Sequence, residues 1–220
     1  DVVKEEIRVN VKNQPYGGFM WIDIGQQAFS KWENNHDGYG SFEDLEHASL
    51  EDVAGFHRDY YGPNNAVLSI AGDVTPDQAF ALAQKYFDAI PARATPKAPD
   101  YREGPNTKEK RVTQSDALAQ VPAIAAAWKM PERGSQDQAA MAVLGDVLAG
   151  GDASRFYQGL VKGRELALTV ESLYGLTSPW EYDGPTLFTV FALYKPDSSA
   201  DALLAAMDEE IAKVATDGVS

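Results

Sequence analysis

The stretch from Gly40 to Val74, GSFEDLEHASLEDVAGFHRDYYGPNNAVLSIAGDV, packs a helix, a stop and a strand signal into close succession. Ser49 followed by Glu51 and Asp52 reads as a helix N-cap, with the Asp52 carboxylate at the N3 position of an imperfect capping box. The helix that follows places Val53, Phe56 and Tyr60 on one face, and Gly62-Pro63 stops it. The apolar, β-branched run Ala66 to Ala71 reads as a buried strand. After Gly72-Asp73, Thr75 caps a second helix with Pro76 at its first position, and that helix ends near Phe87.

Upstream, Val2, Val3, Glu6 and Ile7 recur at helical spacing, which predicts a helix to about Asn13, before Pro15 and Gly17-Gly18 interrupt it. Glu5 and Glu6, one residue apart, point about 100° from each other around that helix. A second amphipathic stretch, Phe19 to Trp32, carries Met20, Ile24 and Phe29, and the run Asn34, Asn35, His36, Asp37, Gly38 reads as a loop. Downstream, Pro91, Pro96, Pro99 and Pro105 stand among Ala, Arg, Lys and Gly, a composition that extends the chain and packs little apolar surface. This is the expected domain boundary, dividing the chain into 1–92, a linker at 93–106, and 107–220. Beyond it, Glu109 to Thr113 and Ala123 to Trp128 read as strands, and Gln136 to Leu148 as a helix ending at Gly150-Gly151. Asp152 or Ser154 caps the next helix, through Phe156, Tyr157 and Leu160. Leu168 to Tyr174 and Thr186 to Tyr194 alternate as strands do, and a last amphipathic helix spans about Ser199 to Ala215. Strands and helices on both sides of the linker imply an α+β chain built from two units, or parts of two.

The composition of the 220 residues, 44% apolar and 24% charged, is that of a globular protein. A formal charge of -14 repels phosphate backbones and anionic membranes, so no nucleic acid is expected as a partner. The absence of Cys removes disulfides, thiolate nucleophiles and Cys-ligated metal. The longest apolar stretch, Val121 to Met130, falls well short of the ~20 residues that span a bilayer, so no membrane segment is expected. An opening at Asp1 without Met, on a helix with no cap, leads to the expectation that the chain is a piece of a longer protein.

Taken one at a time, the polar residues promise little chemistry. His36, His47 and His57 form no helical metal pair, since none stands three or four residues from another. Ser69 and Ser154 lack a G-x-S-x-G elbow, and Gly150-Gly151 belongs to no phosphate-binding motif and reads as a helix break. Glu5 and Glu6, by themselves, are a solvated helix face.

Read together, the segments closely resemble the pitrilysin/insulinase family of zinc metallopeptidases, in its bacterial, mitochondrial-processing-peptidase-like branch. DVVKEEI at Asp1 to Ile7 resembles the family's R-x-V-V-x-E-E helix. Gly40 to Val74 resembles its G-x-x-x-D-L, helix, Y-Y-x-P-N-N, strand and Gly-Asp signature. KYFDAIP at Lys85 to Pro91 resembles the end of the first domain, and Val143 to Val170 the opening helices of the second, the family's inactive domain. The resemblance implies two-layer α+β units with antiparallel or mixed sheets packed against helices. Residues 1–92 then close a zinc-binding domain and 107–220 open a second domain without metal. It also implies a metalloendopeptidase whose zinc is held by an inverted H-x-x-E-H motif and a distant Glu. H-x-x-E-H is absent from this sequence and would lie upstream of Asp1, while the distant ligand matches Glu6. No catalytic residue in the stricter sense is assigned. Zinc is expected in the parent protein and none bound to this chain alone, which is expected to be inactive by itself.

In the second domain the family's pattern L-R-x-x-x-x-L-x-Y supplies an Arg and a Tyr that orient the substrate carbonyl. Here LVKGRELAL places Val161 and Leu168 at those positions, and both substitutions remove the polar function. The resemblance implies a peptide or unfolded protein as substrate, a homo- or hetero-oligomer with another family subunit, and a periplasmic or secreted location. The alternative is a non-catalytic, core-type subunit that binds peptides or proteins.

Overall fold

The computed structural model describes residues 1–219 and divides into two compact units, one formed by 1–39 with 101–220 and the other by 40–100. The first unit opens with α1, Val2–Ile7, which runs on into a π-helical turn at Arg8–Lys12. Gly17 follows because nothing larger fits: a Cβ there would lie 1.8 Å from the Val11 carbonyl oxygen. A second π-helical turn, Phe19–Asp23, leads into α2, Ile24–Ala28, and then α3, Trp32–Asn35. The expected loop at 34–38 therefore begins two residues late, because Asn34 and Asn35 complete a single turn whose amides bond back to the Lys31 carbonyl.

The unit at 40–100 contains α4, Phe42–His47, α5, Leu50–Tyr60, a 3-10 turn at Pro63–Asn65, and α6, Pro76–Phe87. All three helices start at a complete capping box: Ser41 with Asp44, Ser49 with Asp52, and Thr75 with Gln78. Asn64 and Arg93 close the unit's chain path by a reciprocal pair, the Arg93 amide donating to Asn64 Oδ1 at 2.9 Å and Asn64 Nδ2 to the Arg93 carbonyl at 2.8 Å. The expected strand at Ala66 to Ala71 is not formed. The run is extended but pairs with no strand among the described residues, and Val67 is 98% exposed. A strand is stable only when its N–H and C=O groups find a ladder, and β-branched residues alone do not supply one.

Residues 91–122 contain neither helix nor strand, so the strand expected at Glu109 to Thr113 is also absent. Its side chains are instead committed to ion pairs, with Arg111 bonded to both Glu109 and Asp201. The sheet of the first unit is made by β1, Ala123–Lys129, β2, Ala167–Tyr174, and β3, Leu187–Tyr194, in the order β1-β3-β2 and antiparallel throughout. Between them lie α7, Gln136–Ala149, and a π-helical segment, Tyr157–Gly163; α8, Ala200–Asp217, follows β3. Ser154, rather than Asp152, supplies the side-chain cap after Gly150-Gly151, accepting from the Tyr157 amide.

Period-two alternation sorts the sheet into two faces. Phe188, Val190 and Ala192 of β3 point to one face with their register partners Trp128, Ala126 and Ile124 on β1 and Tyr174, Ser172 and Val170 on β2. This face, with α7, the π-helical segment and α8, holds the core around Phe156, Leu160, Leu203 and Met207. On α7 the buried positions Gln138, Ala142, Gly145 and Ala149 recur at helical spacing; on α8 they are Leu203, Ala206, Met207 and Glu210. Each fully buried large side chain contributes about 1.5–3 kcal/mol of hydrophobic stabilisation. Gly145 lets α7 approach β2, since a Cβ would meet the Tyr174 hydroxyl at 1.7 Å. On the opposite face Phe191 is covered by Tyr16 and Phe19, their ring centroids 5.7 and 6.2 Å away in edge-on contact.

Candidate functional site

α1 carries the two carboxylates singled out by sequence. Ile7 anchors the helix by its burial, while Glu5 and Glu6 lie on its exposed side. Their environments differ. Glu5 accepts from Arg8 Nη1 at 3.3 Å, one turn on, whereas no ion pair holds Glu6 among the described residues. Glu6 thus presents an exposed carboxylate on α1.

No other donor completes a set. Among the described residues no three of His, Cys, Asp and Glu are grouped closely enough to hold a metal ion. The histidines are each occupied locally: His36 bonds through Nδ1 to the Trp32 carbonyl at 2.7 Å and stacks on the Trp32 ring, His47 bonds to the Glu43 carbonyl at 2.8 Å, and His57 stacks on Tyr61. Catalytic zinc takes three protein ligands, and the described residues bring no such group together, so they do not by themselves fit the metal.

Val161 and Leu168 lie on neighbouring elements. Val161, on the π-helical segment, packs against the core, and Leu168 sits at a break in register between Ala167 and Thr169 on β2, 42% exposed. The bulge turns an apolar side chain outward at a position where it can donate no hydrogen bond. Arg164, the nearest arginine in sequence, is bonded to Glu209 and lies 3.9 Å from the buried Glu210 carboxylate. It is engaged in holding α8 rather than in replacing a missing polar group.

The most strongly held carboxylate of the chain was invisible in the sequence. Glu103, within the Pro-rich stretch, accepts from the Ser30 amide and hydroxyl, both at 3.0 Å, from the Lys31 amide at 3.0 Å, and from Asn34 Nδ2 at 2.8 Å. Lys129 Nζ adds an ion pair at 3.5 Å, and the Glu103 side chain is only 6% exposed. Burial alone would raise its pKa, but the donors from Asn34, Ser30 and Lys31 outweigh it and bring the carboxyl down to about 2. Asp116 acts likewise from the same coil region, accepting from the Tyr16 amide at 2.6 Å and from the Leu118 amide, and those bonds lower its pKa. Only a fold-level contact gives either residue its role, because both stand in sequence without hydrophobic periodicity. No helix among the described residues is long and apolar enough to cross a membrane.

Residues 47–220 match the family model described as the peptidase M16 inactive domain. The zinc protease PqqE of Helicobacter pylori is 28% identical over 169 residues, covering 76% of this chain and 38% of that protein. An uncharacterized zinc protease of Mycobacterium tuberculosis is 29% identical over 182 residues, covering 82% of this chain and 40% of the relative. The chain therefore spans about 40% of the length of these curated relatives. The crystal structure of a protease from Helicobacter pylori superimposes with a TM-score of 0.82 at 24% identity, covering all of this chain and 52% of that one. The α+β architecture is shared with that structure, and the chain belongs to the M16, or pitrilysin/insulinase, family of peptidases through its inactive domain.

Proposed function

We propose that this chain is part of a zinc metalloendopeptidase that hydrolyses peptides, with Glu6 as the distant metal ligand and an H-x-x-E-H motif elsewhere in the protein. The observation that carries this reading is the contrast on α1: Glu5 is tied to Arg8 while Glu6, at the matching position, keeps an open carboxylate. In the longer protein Glu6 would be one of the residues holding zinc, and the metal would supply Lewis-acid activation of a water. What this chain itself contributes is one carboxylate oxygen fixed by a helix whose Ile7 is buried. Residues 1–92 would then belong to the zinc-binding domain, 93–106 to a linker and 107–220 to the second domain, in a periplasmic or secreted protein. The chain alone, with one ligand, is inactive in this reading.

Val161 and Leu168 bear on how the substrate carbonyl is held. Neither can donate a hydrogen bond, so the oxyanion needs a donor from a second family subunit in a homo- or hetero-oligomer. The same two residues favour a second reading, a non-catalytic core-type subunit that binds peptides or proteins. The deciding experiment measures zinc content and chelator-sensitive peptide hydrolysis on the longer protein and on its Glu6→Gln variant. Loss of both stoichiometric zinc and hydrolysis in the variant is the expected result. A variant that keeps its zinc removes Glu6 from the ligand set, and a parent that never held zinc leaves the core-type reading.

A further inference from the structure

Tyr16 is seated against its local preferences on the outer face of the sheet, the face that carries Phe191. Its backbone lies at φ 58°, in the left-handed region that residues with a Cβ seldom adopt. Its hydroxyl is enclosed and has no hydrogen-bond partner among the described residues, a loss relative to the water it would meet if released. Strained positions of this kind persist only where the surrounding structure over-determines them. Two contacts do so here. The exposed Asp116 carboxylate accepts from the Tyr16 amide at 2.6 Å while the Leu118 amide, at 2.8 Å, fixes the carboxylate itself. The Tyr16 ring packs edge-on against Phe191 of β3, beside Phe19. On either side stand the π-helical turns Arg8–Lys12 and Phe19–Asp23, five residues each and neither containing a buried residue. Turns so short do not persist in water without a surface to dock on. The chain just beyond them is held far more firmly: Phe29 is buried, and Glu103 accepts from the amides of Ser30 and Lys31 and from Asn34 Nδ2.

We propose that residues 8–23 form a strap that opens as a unit from the outer face of the sheet, pivoting on the turn anchored by Glu103, with the contact between Asp116 and Tyr16 as its latch. The strained backbone and the orphaned hydroxyl of Tyr16 both favour release, so the closed strap is held by a small margin. Opening therefore belongs to the low-energy local motions of the unit and not to its global unfolding. It uncovers Phe191, which is 8% exposed when the strap is closed. It also carries α1 with it, because Val2–Ile7 runs on into Arg8 without a break. The inference is independent of the peptidase reading, because it rests on neither Glu6 nor a metal.

The test is amide hydrogen exchange on the 220-residue chain, comparing the strap with β3 as an internal reference. Within the strap the Asn13 amide bonds to the Arg8 carbonyl at 2.8 Å and the Ile22 amide to the Gly18 carbonyl at 2.6 Å, so both report whether the docked turns are intact. Asp116→Ala removes the latch and is expected to speed exchange at 8–23 by at least about ten-fold while leaving β3 unchanged. Tyr16→Phe keeps the ring on Phe191 and deletes only the orphaned hydroxyl, and is expected to slow exchange at 8–23 several-fold. These opposite signs separate a strained latch from an ordinary packing contact, in which loss of either group loosens the segment. Unchanged exchange at 8–23 in either variant overturns the proposal, and so does faster exchange in Tyr16→Phe. A rise in Asp116→Ala that β3 shares also overturns it, because residues 8–23 then open only when the whole unit unfolds.

Discussion

α5 and α8 begin alike, each with a serine side chain accepting from a backbone amide in the first turn, and each shows helical apolar periodicity. On α8 that periodicity buries Leu203, Ala206 and Met207 against the sheet. On α5 the same periodicity leaves Leu50 85% exposed, with Val53, Phe56 and Tyr60 exposed beside it. The contrast extends to whole units: Gly62 is the one buried residue between 40 and 100, whereas the other unit encloses a contiguous core. Caps and propensity are properties of a few neighbouring residues and act without a tertiary partner. Burial requires a second surface, and among the described residues only the first unit provides one for its helices. The two units therefore differ in what holds them, and substitutions in each should respond differently.

The largest expected effect comes from the core. Phe188 is fully buried, ringed by Trp128 and Tyr174 at 5.9 and 5.1 Å. Phe188→Ala removes a large side chain from a site that cannot collapse around it, and is expected to cost about 3–5 kcal/mol in urea unfolding followed through the first unit. A cost below about 1 kcal/mol would mean that this core is loosely packed and that the two units are alike.

The second effect is electrostatic. Folding lowers the Glu103 pKa from 4.5 to about 2, so the folded state binds this proton less readily than the unfolded one. Its stabilisation is therefore fully present above about pH 4.5 and is lost as pH falls toward 2; the upper bound is about 3 kcal/mol. Glu103→Gln abolishes the titration and is expected to flatten stability between those two pH values relative to the parent chain. Equal acid slopes in both proteins would show that the coil at 102–110 is not held through this carboxylate. In the other unit Asp44 and Asp52, lowered by their bonds to Ser41 and Ser49, are fully exposed cap residues.

What the sequence revealed follows the same division. Ser49 and Thr75 marked helix starts correctly because a cap is read from four consecutive residues. Leu168 to Tyr174 and Thr186 to Tyr194 were legible as strands because alternation accompanied a partner in the same unit. Ala66 to Ala71 had the right composition and no partner, and Glu109 to Thr113 had too many charges to join the sheet. Glu6 became a candidate only through the resemblance of its helix to a family motif. Glu103 and Asp116 left no trace in sequence because their partners, Ser30, Lys31, Asn34 and Tyr16, are far along the chain and are met only after folding.

The smallest expected effect is the most discriminating. Phe56→Ala makes the same chemical change as Phe188→Ala, but on a side chain 58% exposed whose ring contacts, Tyr60 at 4.7 Å and Tyr61 at 6.3 Å, are both close in sequence. Losing an i, i+4 aromatic contact costs a few tenths of a kcal/mol, and the higher helix propensity of Ala returns a similar amount. The net change in stability is expected to lie within about 0.5 kcal/mol of zero. A cost of about 2 kcal/mol or more would mean that the α5 face is covered in solution. Repeating the unfolding at several protein concentrations then separates the causes: a cost that grows with concentration identifies a second copy as the cover, and a constant one identifies packing within the chain. In a longer protein that supplied a surface for α5, Phe56→Ala would approach the cost of Phe188→Ala, and the difference between the two substitutions would vanish.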